Sequence, residues 1–324
     1  MSERAFLIVF AVCAAGLAIY PVLVDSYNLS VVRDALIFGL FAASLDLFWG
    51  RTGILCFGHA AFFGIGGYVM AILSMMPDLP QAEILGLLGA MAAAAALAAL
   101  VGYFLFFGGV RSSYFTIVTL ALSVIAQQVA VSWSSVTGGD SGLLGVPPLV
   151  LGLGSVRLDL SGNLASYLLV AGILGVALLG FRALARGRWG RILAAISDNE
   201  MRAAALGHDA PLRLTLTFVL SAAVAGLAGA LYVAMAGLMA PDLSGLLLST
   251  EVVVWVAIGG RGTLIGPVIG AVLAQRAQQV ISSLNPSLWP LIIGCVFIVV
   301  VFAFPDGVMS VAERLRLLRR RRAR

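Results

Sequence analysis

Asp46, His59, Glu251 and Arg276 each stand inside a long apolar run, and theirs is the chemistry that most needs an account. A charge in hydrocarbon is costly and usually faces a polar route or a neutralising partner. Asp46, His59 and Glu251 are therefore expected beside a route across the membrane or at a contact with a partner chain. The plainer alternative is helix–helix hydrogen bonding that only holds a bundle together. Glu251 and Arg276 could also pair with each other.

Other chemistries find no residues. All 20 basic side chains are Arg, so the chain lacks the lysine of a phosphate-cradling P-loop and of Schiff-base catalysis. His59 and His208 are too few and too far apart for a zinc site. Cys13, Cys56 and Cys295 fall in apolar runs without metal-like spacing and read as small buried hydrophobes. A membrane-embedded enzyme would need clustered His, Asp or Cys, which this sequence does not offer. The expectation is a chain that is not an enzyme and holds neither metal nor cofactor.

The elements that position these residues follow from composition. Of 324 residues, 61% are hydrophobic and 11% charged, against about 25% charged in soluble domains. Lipid is the solvent that suits such a chain. The fold class is all-α: a polytopic transmembrane bundle of about ten helices, some short or discontinuous. Apolar runs place spans at Ala5–Val24, Ala35–Trp49, Gly53–Met75, Ile84–Phe107, Tyr114–Trp133, Leu164–Phe181 and Leu212–Ala236. Two shorter pieces, Leu246–Ile258 and Leu264–Val280, precede a last span, Leu288–Phe304. The N-terminal run reads as a retained first helix, not a cleaved leader. The membrane domain covers 1–310 and a basic tail covers 311–324. With both termini cytoplasmic, only Arg33, Arg157 and Arg276 fall outside, as the positive-inside rule asks. The tail reads as a topology anchor that attracts anionic lipid, and no nucleic acid is expected.

Two glycine-rich stretches look like broken helices. One leads from Trp49 through Gly53 to Gly58, His59 and Tyr68; the other is Gly259-Gly260-Arg261-Gly262-Thr263-Leu264 through Gly270. Paired interruptions of this kind point to a pathway, which adds Gly58 and Gly260 to the candidates. A secondary carrier driven by an ion gradient would also account for them. On the outside, Thr137-Gly138-Gly139-Asp140-Ser141-Gly142 opens the longest loop as a tight turn, either a connector or a gate and docking surface built on Gly138, Gly139 and Asp140. In the cytoplasmic loop 182–213, Ile192, Ala195, Ile196, Asn199, Ala203 and Leu206 recur at helical spacing, and Gly207 is a natural stop. One short helix is expected there, exposing Asp198, Glu200 and Arg202. It would either lie on the membrane surface or dock into a groove on a cytoplasmic partner.

Several motifs in one order resemble the permease family of bacterial branched-chain amino acid ABC importers. They are Phe57-Gly58-His59-Ala60-Ala61-Phe62-Phe63-Gly64-Ile65-Gly66-Gly67-Tyr68; then Trp189-Gly190-Arg191, Ala195-Ile196-Ser197-Asp198-Asn199-Glu200, Ala203-Ala204 and Leu206-Gly207; and Glu251 through Gly270. Tyr114–Leu120 and Thr137–Leu143 are also similar, while Ser197 departs from the family's usual Arg. The resemblance covers roughly Ala35 to Gly307. It implies an inner-membrane assembly with a second permease subunit, two cytoplasmic ATPase subunits that bind ATP and magnesium, and an extracytoplasmic substrate-binding protein. It further implies that Asp198, Asn199, Glu200, Ala203, Ala204 and Gly207 form the ATPase-coupling element. Permeases for urea and short-chain amides are very similar, so either substrate class fits. A coupling helix of this kind favours the ATP-driven reading over a secondary carrier, which has no ATPase to dock.

Overall fold

A computed structural model describes residues 3–76, 81–110, 112–153, 156–159, 162–284, 291–292 and 294–295. Within them the chain is a helix bundle. Helix α1 is Glu3–Leu23, α2 Ser26–Thr52, α3 His59–Ser74, α4 Ala82–Gly102, α5 Ser112–Ser132 and α6 Ser134–Thr137. Then come α7 Asn163–Arg186, α8 Arg188–Asp198, α9 Glu200–Ala205, α10 Ala210–Ala236, α11 Leu246–Gly259 and α12 Ile265–Leu284. By length and composition, Ala82–Phe107, Ser113–Ser132, Asn163–Arg186 and Ala210–Ala236 can each cross a membrane. The expected last span and the basic tail lie outside the described residues, apart from 291–292 and 294–295.

Three expected elements differ. Helix α2 starts nine residues before the expected Ala35, because Arg33 and Asp34 neutralise each other at 2.8 Å and need not end it. The expected third span begins only at His59. Gly53, in the left-handed region at φ 81°, closes α2 by donating its N–H to the Trp49 carbonyl. Segment 54–58 is then non-helical, and its backbone bonds threonines of α5 instead. Phe57 N–H donates to Thr119 Oγ1 at 3.2 Å, and the Thr116 hydroxyl donates to the Leu55 carbonyl at 3.0 Å. Irregular backbone at membrane depth needs such partners. Third, Tyr103–Phe107 continues α4 as a π-helical turn.

Small residues set the packing. Ala82, Gly86, Ala90, Ala94, Ala98 and Gly102 form a buried stripe at every fourth position of α4. Gly226 of α10 lies against the Ala90 carbonyl, Gly66 of α3 against Gly226, and Gly229 against the Phe63 carbonyl. Backbones approach this closely only where side chains are small. Helix α2 is buried over most of its length among α7, α10, α11 and α12. An aromatic cluster joins five elements through Phe48, Phe62, Phe106, Phe115 and Phe218, with Phe106 stacked on Phe115 at 4.9 Å.

Among the described residues the outer loop carries three short strands, and a fourth lies in the α10–α11 connection. Strands β2 (Val150–Leu153) and β3 (Val156–Asp159) pair antiparallel as a hairpin. Strand β1 (Leu143–Leu144) pairs antiparallel with β4 (Leu238–Met239), fastening this loop to the α10–α11 connection.

The glycine contacts predict an asymmetry. Replacing Gly229 with Val drives a side chain into the Phe63 carbonyl and should cost about 1–3 kcal/mol or more. At Gly172 an added methyl meets nothing within 4 Å. Thermal unfolding of the detergent-solubilised protein should therefore show Gly229→Val clearly destabilised and Gly172→Ala unchanged or slightly stabilised.

Candidate functional site

Asp46 is completely buried on α2, and its carboxylate holds a turn more than two hundred residues away. Oδ1 accepts from Gly262 N–H at 2.5 Å and Oδ2 from Leu264 N–H at 2.9 Å. This turn, Gly260–Leu264, joins α11 to α12. Its backbone is unusual: φ is 104° at Gly260, 76° at Gly262 and 64° at Leu264, a residue with a side chain. Left-handed backbone of this kind persists only where surroundings fix it. Gly50, one turn after Asp46, makes room, since a Cβ there would sit 2.6 Å from Asp46 Oδ1 and 2.8 Å from Gly262. The Arg261 guanidinium lies 5.2 Å over the Trp49 ring, a cation–π contact. Asp46 and Gly260, both sequence candidates, thus meet in one place.

A second polar seam lies deeper. His59, fully buried at the start of α3, stacks on Phe41 at 5.1 Å, and its Nε2 is 2.8 Å from Ser44 Oγ. The Ser44 hydroxyl donates to the Phe41 carbonyl, which assigns the proton of this pair to Nε2. Ser221 of α10 donates to the Ser44 carbonyl at 2.5 Å, and Ala60 N–H donates to Ser249 Oγ of α11 at 3.1 Å. Gly58 packs so tightly on the Thr119 carbonyl that a Cβ would collide with it. Helices α2, α3, α5, α10 and α11 are stitched together here. Glu251 is also buried, two positions after Ser249 on α11.

At one end of the bundle stand α8 and α9. Asn199 separates them, where one helix was expected. Its extended backbone (φ −157°, ψ 105°) ends α8, and its side chain caps α9 by accepting from Arg202 N–H at 2.8 Å. An N-cap of this kind is what Asn does best. Asp198, Glu200 and Ala204 are exposed, whereas Ala203 is buried and seats α9. Gly207, left-handed at φ 83°, ends α9, and the Asp209 side chain then caps α10 through Leu212 N–H. Trp189 of α8 donates its Nε1–H to Thr217 of α10 at 3.0 Å, and Arg213 lies 4.4 Å over its ring. A cavity of about 380 Å³ runs between this pair and the end of α2, bounded by Thr52, Gly53, Ser197, Asn199 and Glu200 among others. A Cβ on Gly53 would lie 3.2 Å from Ser197 Oγ and 3.5 Å from Arg261, so α8, α2 and the Asp46 turn are neighbours.

The outer-loop candidates are elsewhere. Gly138 and Gly139 take φ of 77° and 65°, Asp140 is exposed, and Gly142 abuts the Met239 carbonyl. This loop braces the α10–α11 connection, whose Asp242 accepts from Gln127 at 2.7 Å. Sequence reasoning passed over Ser44, Ser221 and Ser249, which look like ordinary small residues in apolar helices. It also passed over Met201 and Leu206, which are large, apolar and strongly exposed on the short helix pair.

A family model described as "Branched-chain amino acid transport system / permease component" matches residues 27–301. The high-affinity branched-chain amino acid transport system permease protein LivM of Salmonella typhimurium is 26% identical over 335 residues, covering 97% of this chain and 76% of that protein. LivM of Escherichia coli K12 matches with the same identity and coverage. The permease protein LivH of Salmonella typhimurium is 25% identical over 294 residues, covering 85% of this chain and 92% of its own. No solved structure matches significantly.

Removing the Asp46 carboxylate leaves one buried and one part-buried N–H group without an acceptor, at about 1–3 kcal/mol for the buried one. Asp46→Ala should therefore lower the thermal stability of the solubilised protein by more than Asp46→Asn, which keeps one acceptor oxygen. Equal stability for the two variants would contradict this assignment.

Proposed function

The chain belongs to the branched-chain amino acid transport system permease family, and from that premise we propose that it is one permease subunit of an ATP-driven importer of branched-chain amino acids in a bacterial inner membrane. The relatives come as two distinct permease proteins, LivM and LivH, which supports a pair of unlike permease chains. Having no lysine for a P-loop, this chain must receive its energy from partner ATPase subunits, which bind ATP and magnesium. An extracytoplasmic binding protein delivers the amino acid. The Arg distribution supports a cytoplasmic side for both termini and the α8–α9 pair.

The observation that carries this reading is the α8–α9 pair itself. It is exposed on one side, where Asp198, Glu200, Met201 and Leu206 stand in solvent. On the other it is latched to the core by Trp189 and Thr217 and seated by Ala203. Such a pair can take a push from a docked ATPase and pass it to α2 and α10. Two exposed large apolar side chains on six residues are the anchors a groove would receive.

Labelled leucine uptake into proteoliposomes holding both permeases, the ATPase subunits and the binding protein is the direct test. Met201→Asp combined with Leu206→Asp should cut uptake at least tenfold with this chain still inserted in the membrane. Unchanged uptake would refute the coupling role. Uptake without the ATPase subunits would replace the ATP-driven reading with a secondary carrier, and uptake of urea in place of leucine would change the substrate.

A further inference from the structure

At the end of the bundle away from α8 and α9, helices α2, α10 and α12 leave a cavity between them. Its volume is about 310 Å³, at the small end of ligand pockets, which run from roughly 300 to 1,000 Å³. That is room for one small solute. Asp34 and Phe38 line it from α2, Tyr232 from α10, and Gln275, Gln278 and Gln279 from α12. Asp34 is eighteen residues from the end of α2 at Thr52, and at 1.5 Å per residue the helix carries it about 27 Å from the coupling end. With a hydrocarbon layer of about 30 Å, the cavity lies in the outer part of the membrane.

Its lining is out of place against lipid. Three carboxamides and a carboxylate on adjacent helices would be costly facing hydrocarbon and are at home around a polar solute. Arg33 secures the carboxylate by donating from Nε at 2.9 Å to Asp34 Oδ1, with Nη2 at 2.8 Å from the same oxygen. Its remaining nitrogen, Nη1, turns to Ser166 of α7 at 3.4 Å. The carboxylate thereby faces a fixed guanidinium on one side, and that Arg33 partner lies almost wholly buried. Gln279 is itself held by donating to the Tyr27 hydroxyl at 3.0 Å. The wall changes character at Phe38, whose ring lies 5.4 Å from both Tyr232 and Trp255 and 5.9 Å from Phe63. Under that aromatic floor the Trp255 Nε1–H is buried with no hydrogen-bond partner among the described residues.

We infer that this cavity is an outward-facing binding site for one zwitterionic α-amino acid with an apolar side chain, an inference that rests on the import function proposed above. Asp34 accepts from the ammonium group. The carboxamide N–H groups of Gln275 and Gln278 donate to the carboxylate. Phe38 and Tyr232 receive the apolar side chain and separate the site from the bundle interior. Nothing in the recognition needs a second charged residue, because the solute brings both charges and the cavity offers an anion on one wall and neutral donors on another.

The test uses the complete reconstituted complex and two variants, Asp34→Asn and Gln278→Ala. The second replaces a half-buried residue with the best helix former, so the helix tolerates it. Leucine uptake and ATP hydrolysis are measured on the same proteoliposomes. The site predicts that the ATP hydrolysed per leucine moved rises at least tenfold in both variants. A ratio equal to wild type in both, whether the two rates are intact or have fallen together, overturns the site. Wild-type complex that moves no amino acid at all overturns the import reading and this inference with it.

Discussion

One buried carboxylate constrains much of this structure. Asp46 has no contact with solvent, and an ionised group so placed must be satisfied completely or the fold loses far more than one hydrogen bond. It is satisfied by two backbone N–H groups of the Gly260–Leu264 turn, with Arg51 and Arg261 within electrostatic reach. In return the turn acquires a shape that its own sequence would not hold, with Leu264 in left-handed backbone. The relative placement of α11 and α12 follows from that turn. So does the need for glycine at position 50, where a Cβ would collide with Asp46 and Gly262, and at position 262, whose φ of 76° favours glycine.

The same economy of partners runs through the rest of the bundle. Between α2 and α3, threonines of α5 take backbone groups that no helix satisfies. Where α3 and α11 begin, a seryl hydroxyl of one accepts from the backbone of the other. Broken helices survive in hydrocarbon only on these terms. They also bring distant segments together at few points. A Cβ on Gly53 would meet both Ser197 of α8 and Arg261, while Arg261 rests on Trp49. A displacement of the α8–α9 pair therefore meets the Asp46 turn within a few residues of contact.

How much of this was legible in the sequence depended on distance along the chain. Composition and apolar runs were enough for an all-α bundle, and the two glycine-rich stretches marked breaks near Gly53 and Gly260, although the third span was expected to begin at Gly53 and not at His59. The stop at Gly207 was readable because only a local left-handed cap was involved. By contrast, the early start of α2 depended on Arg33 and Asp34 cancelling each other, which a run of hydropathy penalises twice. The break at Asn199 was hidden because the positions on either side keep helical spacing, and only the capping geometry reveals two helices. Asp46 could be picked out as an anomaly, but its partners are backbone atoms 216 and 218 residues away, and backbone leaves no signature in side-chain patterning. The serines at 44, 221 and 249 carry too little polarity to stand out in apolar helices.

Amide hydrogen exchange of the 260–264 turn, compared between the wild-type protein and Gly50→Ala, tests the keystone most directly. The substitution leaves Asp46 and both amides chemically intact but inserts a methyl group between them. Slow exchange at Gly262 and Leu264 in the wild type, becoming at least tenfold faster in the variant while α7 and α10 are unaffected, is the expected result. Rapid exchange at both amides in the wild-type protein, or no change in the variant, would contradict the claim that the Asp46 carboxylate holds this turn.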